Sequence, residues 1–192
     1  HPLHTHSFFE LALVTGGEGV HHSLAGRQQL RPGDAILLRP GVWHEYVDCD
    51  SLEVYNCCFS ADLVRRELAW AREDPLLGYL LWTGPFSAQR RGMLATHLDP
   101  DGVDEAVGHL DGLRQLRNQP LSRHRGEVIG WLSLYLNCVA RTVADRDQRR
   151  EYTHPAVLDA MRMMEADPAR HWTLTELAGE LHLAPGYLVR LF

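Results

Sequence analysis

The first sixty residues constrain the fold most, because short runs of strand-forming residues recur there between turn signals. The runs SFFELALV, VHHSLAG, AILLRPG, WHEYVD and LEVYNCCF follow one another from about His4 to Phe59. Gly16-Gly17 and Pro32-Gly33-Asp34 supply the backbone angles that tight turns between them need. Strands at this even spacing predict a sandwich or a small barrel, and the segment 92–98 (GMLATHL) is predicted as one more strand.

Ionisable side chains cluster at the start of this region. His4, His6 and Glu10 are separated by even numbers of residues on one predicted strand, so their side chains leave the same face. A second segment, GDAILLRPGVWHEY, brings His44 about one barrel turn later. Together the two segments resemble the two motifs of the cupin family, H-x-H-x3-E-x6-G and G…P-G-x2-H. The matching residues are His4, His6, Glu10, Gly17, Gly33, Pro40, Gly41 and His44.

The cupin resemblance implies a metal site. In metal-binding cupins the four matching side chains are three imidazoles and a carboxylate around one divalent ion, here His4, His6, Glu10 and His44. Such a ligand set suits Zn, Ni, Fe or Mn. The alternative is that the same side chains hydrogen-bond an organic effector or one another.

A small-molecule pocket is predicted beside these residues, because apolar and aromatic side chains with a few polar groups line most such sites. Its predicted lining is Phe8, Glu10, Ala12, His44, Tyr46 and Tyr55. His21 and His22 are neighbours on a strand and face opposite ways, so they are interpreted as ordinary core or surface histidines.

Three helical segments follow the strands. Residues 62–73 have helical spacing with Asp62 as the predicted N-cap, inside an inserted helical segment over 62–82. Helices are also predicted over 104–117 and 126–144. The apolar stripe of the last helix is wide enough to cover both the barrel and a partner chain, which predicts a homodimer through these two helices. Burial within one chain would explain the stripe as well.

The carboxy-terminal segment carries a second motif, after a polar linker over 145–153 that predicts a domain boundary. Thr173, with Glu176 three residues later, predicts a capping box, and Pro185 suits the first turn of the next helix. The run TLTELAGELHLAPGYLVRLF resembles the first helix-turn-helix of the AraC/XylS family of transcription regulators. The residues that match the family pattern are Leu174, Leu177, Ala178, Ala184, Pro185, Tyr187, Leu188, Arg190 and Phe192.

The resemblance assigns Gly186, Val189 and Arg190 to the DNA major groove, where only Arg190 could make a bidentate contact to guanine. A salt bridge within the hairpin is the competing role for Arg190. The family's second helix-turn-helix is absent, and residues 154–192 hold five acids against three arginines. We therefore expect a DNA-reading domain that is incomplete at Phe192 and binds DNA poorly by itself.

These observations predict an α+β chain: a mainly β cupin barrel, or jelly roll, with a helical segment and a partial helix-turn-helix. The predicted domains are a sensor barrel over 1–98, a helical segment over 99–147 and the partial helix-turn-helix over 154–192. The predicted function is a ligand-responsive transcription regulator rather than an enzyme, with promoter DNA bound through the full-length protein. The alternative is a metal-dependent cupin oxygenase or isomerase, with Glu45, Tyr46 or Tyr55 as acid or base.

The helix-turn-helix favours the regulator over the enzyme, since a catalytic cupin has no need for that tail. A cytoplasmic location is expected, because the sequence has neither a signal peptide nor an apolar run of about 20 residues, the length that crosses a bilayer.

Overall fold

The structure is a computed structural model that describes residues 2–86, 90–147 and 155–191. The chain divides into two compact units between Asp147 and Gln148. The predicted linker over 145–153 lies largely outside the described residues, as does Phe192, although 145–147 continue the long helix before it. Within the described part of the chain, no helix is both long enough and apolar enough to cross a membrane.

The first unit is built on one antiparallel sheet. Its strands are β1 (Phe8–Ser23), β2 (Gly26–Leu30), β3 (Asp34–Leu38), β4 (His44–Ser60) and β5 (Met93–His97). Strand β1 pairs with β4 along almost its whole length, with β3 through Glu10–Leu13 and with β2 through Gly19–Ser23. Strand β5 pairs with the far side of β3, which confirms the strand predicted over 92–98. The result is a curled half-barrel, a mainly β fold completed by helices.

Bulges between β1 and β4 decide which side chains face into the half-barrel. Three register shifts lie between Val14 and Val20, of which the first has an extra residue in β1 and the other two have an extra residue each in β4. Before the bulges the even-numbered residues of β1 lie on the inner face, and after them the odd-numbered residues do. We call inner the face that carries Val14, Ile36, Leu38, Tyr46 and Met93 in one apolar cluster.

The outer face of the sheet is covered by helices. Leu11, Leu13 and Leu37 on the sheet share the main core with Tyr135 and Leu136, which lie on a long helix. The two large helices are α3 (Pro100–Gln115) and α4 (Leu121–Asp147), at the positions where helices were predicted over 104–117 and 126–144. Burial of one α4 stripe against the sheet leaves Trp131 and Leu134 at the surface.

The segment between β4 and β5 differs from the prediction of one helix over 62–82. It consists of α1 (Ala61–Arg66), a 3-10 turn (Ala69–Arg72), α2 (Pro75–Gly78), a π turn (Tyr79–Thr83) and a 3-10 turn (Gly84–Phe86). Asp62 is not the N-cap: the Ser60 hydroxyl accepts the Leu63 N–H instead. A second cap at Asp74, followed by Pro75, starts α2 afresh, because proline cannot continue a preceding helix.

The second unit is helical, with α5 (Pro155–Ala166), α6 (Leu174–Glu180) and α7 (Pro185–Leu191). The predicted capping box is confirmed: the Thr173 hydroxyl accepts the Glu176 N–H, and the Glu176 carboxylate accepts the Thr173 N–H. Helix α7 begins at Pro185 as expected. Ala160, Leu177, Ala178 and Leu188 form the core of this unit.

Candidate functional site

Backbone hydrogen bonds bring the amino-terminal segment against the start of β4. His4 and His44 form an isolated antiparallel bridge, in which each N–H donates to the other's carbonyl at 3.0 Å. The Gly41 N–H donates to the His6 carbonyl at 2.9 Å. Ser23, at the end of β1, pairs with His44 on the other side of β4. The segment before β1 and the last residue of β1 therefore flank His44.

The side chains of His4, Glu10 and His44 converge at this place. One ligand atom from each lies within 4.8 Å of the others, a spacing that one metal ion could bridge. The ring centroids of His4 and His44 are 4.4 Å apart, and those of His6 and His44 are 5.4 Å apart. His6 Nε2 is 3.6 Å from a Glu10 carboxylate oxygen. The four candidate ligands, His4, His6, Glu10 and His44, are thus neighbours.

Hydrogen bonds fix which nitrogen of two rings faces the cluster. His4 Nδ1 is 2.8 Å from the Pro2 carbonyl oxygen, and His6 Nδ1 is 2.7 Å from the Phe8 carbonyl oxygen. A carbonyl can only accept, so each Nδ1 must carry the hydrogen. In a neutral ring Nε2 then carries no hydrogen, which is the form in which metal-ligating histidines bind a cation while their other nitrogen donates to a backbone carbonyl.

Burial keeps the His44 imidazole neutral. It lowers the pKa of His44 to about 3, with further lowering from His21, His4 and His6. Burial also raises the pKa of the Glu10 carboxyl, while His6 and His4 act in the opposite direction. Neutral imidazole is the form that binds metals.

Buried polar atoms in the cluster have unmet hydrogen-bonding capacity. His6 Nε2, His44 Nε2 and Glu10 Oε1 are inaccessible to solvent and have no hydrogen-bond partner among the described residues. A buried polar atom without a partner costs about 1–3 kcal/mol. Three such atoms in one cluster of metal-binding side chains therefore fit a bound cation better than a purely structural role.

His21 is a neighbour of the cluster that the sequence interpretation missed. It is fully buried, and its Nε2 lies 3.3 Å from His44 Nδ1. His22 faces the other way, where its Nδ1 is 2.8 Å from a Glu45 carboxylate oxygen. Strict alternation from Glu10 along β1 would have placed His22 on the inner face. The extra residue in β1 after Val14 reverses that alternation, and the glycines at 16, 17 and 19 were the sequence signal for it.

The predicted pocket residues divide between the two faces. Phe8 stacks on the His6 ring at 4.5 Å, Ala12 is buried on β1, and the Tyr46 ring lies 5.6 Å from that of His44. Tyr55 lies instead on the outer face, where its hydroxyl donates to Asp111 of α3 at 2.9 Å. The predicted placement of Tyr55 in the pocket lining is therefore wrong. The predicted runs WHEYVD and LEVYNCCF form one continuous strand, β4, whose two extra residues cancel in the alternation, so that Tyr46 and Tyr55, nine residues apart, face opposite ways.

The three residues assigned to DNA lie together on the surface of α7. Gly186, Val189 and Arg190 are all exposed. The Arg190 guanidinium lies 5.6 Å from the centroid of the Tyr187 ring, a cation–π contact. This contact orients Arg190 along its own helix.

Comparisons with known proteins relate this chain to a family of ligand-binding domains and to several longer proteins. A model of the protein family described as the AraC-like ligand binding domain matches residues 1–103, more than half of the chain. The chain belongs to this AraC-like family. The match includes His4, His6, Glu10 and His44, so the candidate site lies within the family's ligand-binding domain.

Similar proteins of known name are longer than this chain. The HTH-type transcriptional activator RhaR of Enterobacter sp. (strain 638) is 31% identical over 72 residues, which are 38% of this chain and 26% of that protein. The AraC-like transcriptional activator CuxR is 13% identical with a TM-score of 0.45, over 97% of this chain and 61% of that one. ToxT from Vibrio cholerae O395 is 12% identical with a TM-score of 0.48, over 97% and 65%.

This AraC-like chain thus spans about a quarter of the curated relative and less than two thirds of these two regulators. Membership of the family supports ligand-responsive transcription regulation as the general role of the domain.

Proposed function

We propose that this chain is the sensing part of a transcription regulator whose barrel binds a small effector at a divalent metal ion held by His4, His6, Glu10 and His44. The observation that carries the proposal is the convergence of three imidazoles and one buried carboxylate inside an AraC-like ligand-binding domain. The carbonyl-fixed rings of His4 and His6 support the assignment, because both direct Nε2 away from their backbone partners.

The donor set favours a transition metal. Three neutral nitrogens and one carboxylate suit Zn, Ni, Fe or Mn better than Mg or Ca, which prefer oxygen ligands. When bound, the metal would offer a Lewis-acidic point of attachment to an effector with oxygen or nitrogen donors. Phe8 and Tyr46 would supply the apolar walls beside it, since both lie against the histidine rings.

Elemental analysis of the purified chain tests the metal proposal. We expect close to one transition-metal ion per chain in the wild type and little in His44→Ala. His124→Ala is the matched control, because His124 lies on α4 and contacts Glu127 of the same helix. A wild-type protein that is fully folded, has been supplied with metal and yet holds none would exclude the site.

We further propose that the full-length regulator contacts promoter DNA through α6 and α7, with Gly186, Val189 and Arg190 towards the bases. Exposure of all three on one short helix supports this assignment. Loss of one arginine contact to guanine costs about 1–3 kcal/mol and relaxes the sequence preference at that base. An effector would alter DNA binding only by favouring one arrangement of the protein over another.

Gel-shift titrations of the full-length protein test the DNA proposal. Arg190→Ala should weaken binding to promoter DNA about tenfold or more, which corresponds to roughly 1.4 kcal/mol. Arg162→Ala provides the control, because that exposed arginine lies on α5 and pairs with Asp159. Equal affinity of Arg190→Ala and the wild type would remove Arg190 from the DNA contact.

A further inference from the structure

A second imidazole lies directly behind the His44 ring. His21 and His44 are both fully buried, and His21 Nε2 is 3.3 Å from His44 Nδ1. The Tyr46 ring packs on both, with centroids 5.4 Å from His21 and 5.6 Å from His44. His44 is therefore held from the side opposite to Nε2, the nitrogen that remains available to a cation.

The chemistry of a bound cation dictates what His21 must do. Coordination through His44 Nε2 uses that nitrogen's lone pair, so the hydrogen of the neutral ring sits on Nδ1 and needs an acceptor. His4 and His6 have backbone carbonyls in this role. For His44 the group in reach is His21 Nε2, which accepts only when the hydrogen of His21 is on its own Nδ1.

We propose that His21 is a positioning residue of the metal site, which accepts the Nδ1–H of His44 and so directs the Nε2 lone pair of His44 towards the ion. The inference rests on the metal site proposed above and adds a residue that does not itself coordinate. Outer-shell partners of this kind typically contribute 10–100-fold to metal affinity.

A purely structural role for His21 is the weaker explanation. Its Nδ1 is buried and has no hydrogen-bond partner among the residues that the structure describes. That arrangement costs about 1–3 kcal/mol, which an aromatic hydrocarbon of similar size would avoid.

Zinc titration of the metal-free chain against a chromophoric chelator tests the inference. His21→Phe keeps an aromatic ring but removes the acceptor, and we expect 10–100-fold weaker zinc binding. His21→Gln offers an amide oxygen in its place and should recover part of the affinity. His22→Phe is the matched control, since His22 faces away from the cluster, and it should bind zinc like the wild type.

The outcomes separate this inference from the site on which it rests. Wild-type protein without zinc affinity overturns both. Wild-type binding that His21→Phe leaves unchanged, or that His22→Phe weakens equally, overturns the role of His21 alone. Should His21→Phe fail to fold, nitrogen NMR of histidine-labelled wild type decides. The zinc form should show His44 and His21 both protonated at Nδ1, and a His21 protonated at Nε2 overturns the proposal.

Discussion

At the scale of single residues, the inner end of the barrel carries polar groups that burial makes costly. Glu10 is 4% exposed, and burial works against its ionisation. A charged carboxylate in such a place is stabilised by a nearby cation and destabilised without one. We therefore expect the buried polar groups of the cluster to lower the free energy of unfolding of the metal-free protein, and a bound cation to raise it.

Glu10→Gln separates these two effects, because glutamine has nearly the same shape but cannot ionise. We expect the metal-free variant to be at least as stable as the wild type at neutral pH, because burial opposes the ionisation of Glu10. Zinc affinity should fall at least about tenfold with loss of the anionic ligand. Urea unfolding with a chelator and zinc titration measure the two quantities.

Glu18→Gln is the control, since Glu18 is exposed on the same strand. An unchanged zinc affinity in Glu10→Gln would remove Glu10 from the ligand set.

At the scale of elements, the bulges of β1 and the close approach of α3 to α4 shape the first unit. Gly17 has φ +67°, and a Cβ added there would lie 2.1 Å from the Ser51 carbonyl oxygen. This backbone contact belongs to the bulged region that turns His21 to the inner face. The site therefore depends on a stretch of β1 that holds no candidate metal ligand.

Gly17→Ala should destabilise the chain by at least about 2 kcal/mol, because both the positive φ and the contact with Ser51 oppose a side chain. Gly26→Ala is the comparison, as Gly26 has φ +105° and open space around its Cβ position. Gly26→Ala should be destabilised only by backbone strain, which costs about 1–2 kcal/mol. Chemical denaturation measures both, and equal losses would show that the Ser51 contact is unimportant.

The packing of α3 on α4 depends on Gly112. A Cβ there would come within 2.6 Å of a Trp131 ring carbon, so Gly112→Ala must displace that ring. Overpacking of this kind costs about 1–3 kcal/mol, partly offset by better helix propensity. Gly108, on the same helix, has no atom within 4 Å of its Cβ position.

We therefore expect Gly108→Ala to stabilise the chain by about 0.5–1 kcal/mol and Gly112→Ala to destabilise it, with altered Trp131 fluorescence. A gain of stability in both variants would contradict the close packing of Gly112 against the Trp131 ring.

At the scale of the whole molecule, an exposed apolar surface on α4 bears on how the chain associates. Helix α4 buries one stripe in the first unit but leaves Leu134 50% exposed beside Trp131. The two side chains form a small apolar patch, and contiguous patches mark interfaces where single exposed residues do not. We propose that a second copy of the chain covers this patch, in the homodimer that the sequence predicts through α3 and α4.

Leu134→Glu should weaken self-association at least about tenfold, because it places a charge in an apolar contact. Folding should be unaffected, since the side chain is half exposed. Sedimentation of the wild type, of Leu134→Glu and of Leu24→Glu measures the effect; Leu24 is an exposed leucine in the turn after β1. Dimers that persist in Leu134→Glu would place the interface elsewhere.

The sequence by itself determined the features that depend on neighbours along the chain. The even spacing of His4, His6 and Glu10 predicted that their side chains come together, and they do, although β1 begins only at Phe8 and both histidines precede it. The Thr173 to Glu176 spacing defined a helix start, and Pro185 began the next helix. Caps and alternation act within a few residues, so their residue types are sufficient evidence.

Tertiary structure alone decided which side chains share the inner face with those ligands. The single extra residue in β1 after Val14 brings His21 in, whereas the two extra residues in β4 cancel and leave Tyr55 out, because each extra residue shifts alternation by one. A bulge or an unbroken strand is fixed by pairing with a distant partner strand. The candidate ligands were therefore readable from spacing, whereas the residue behind His44 was not.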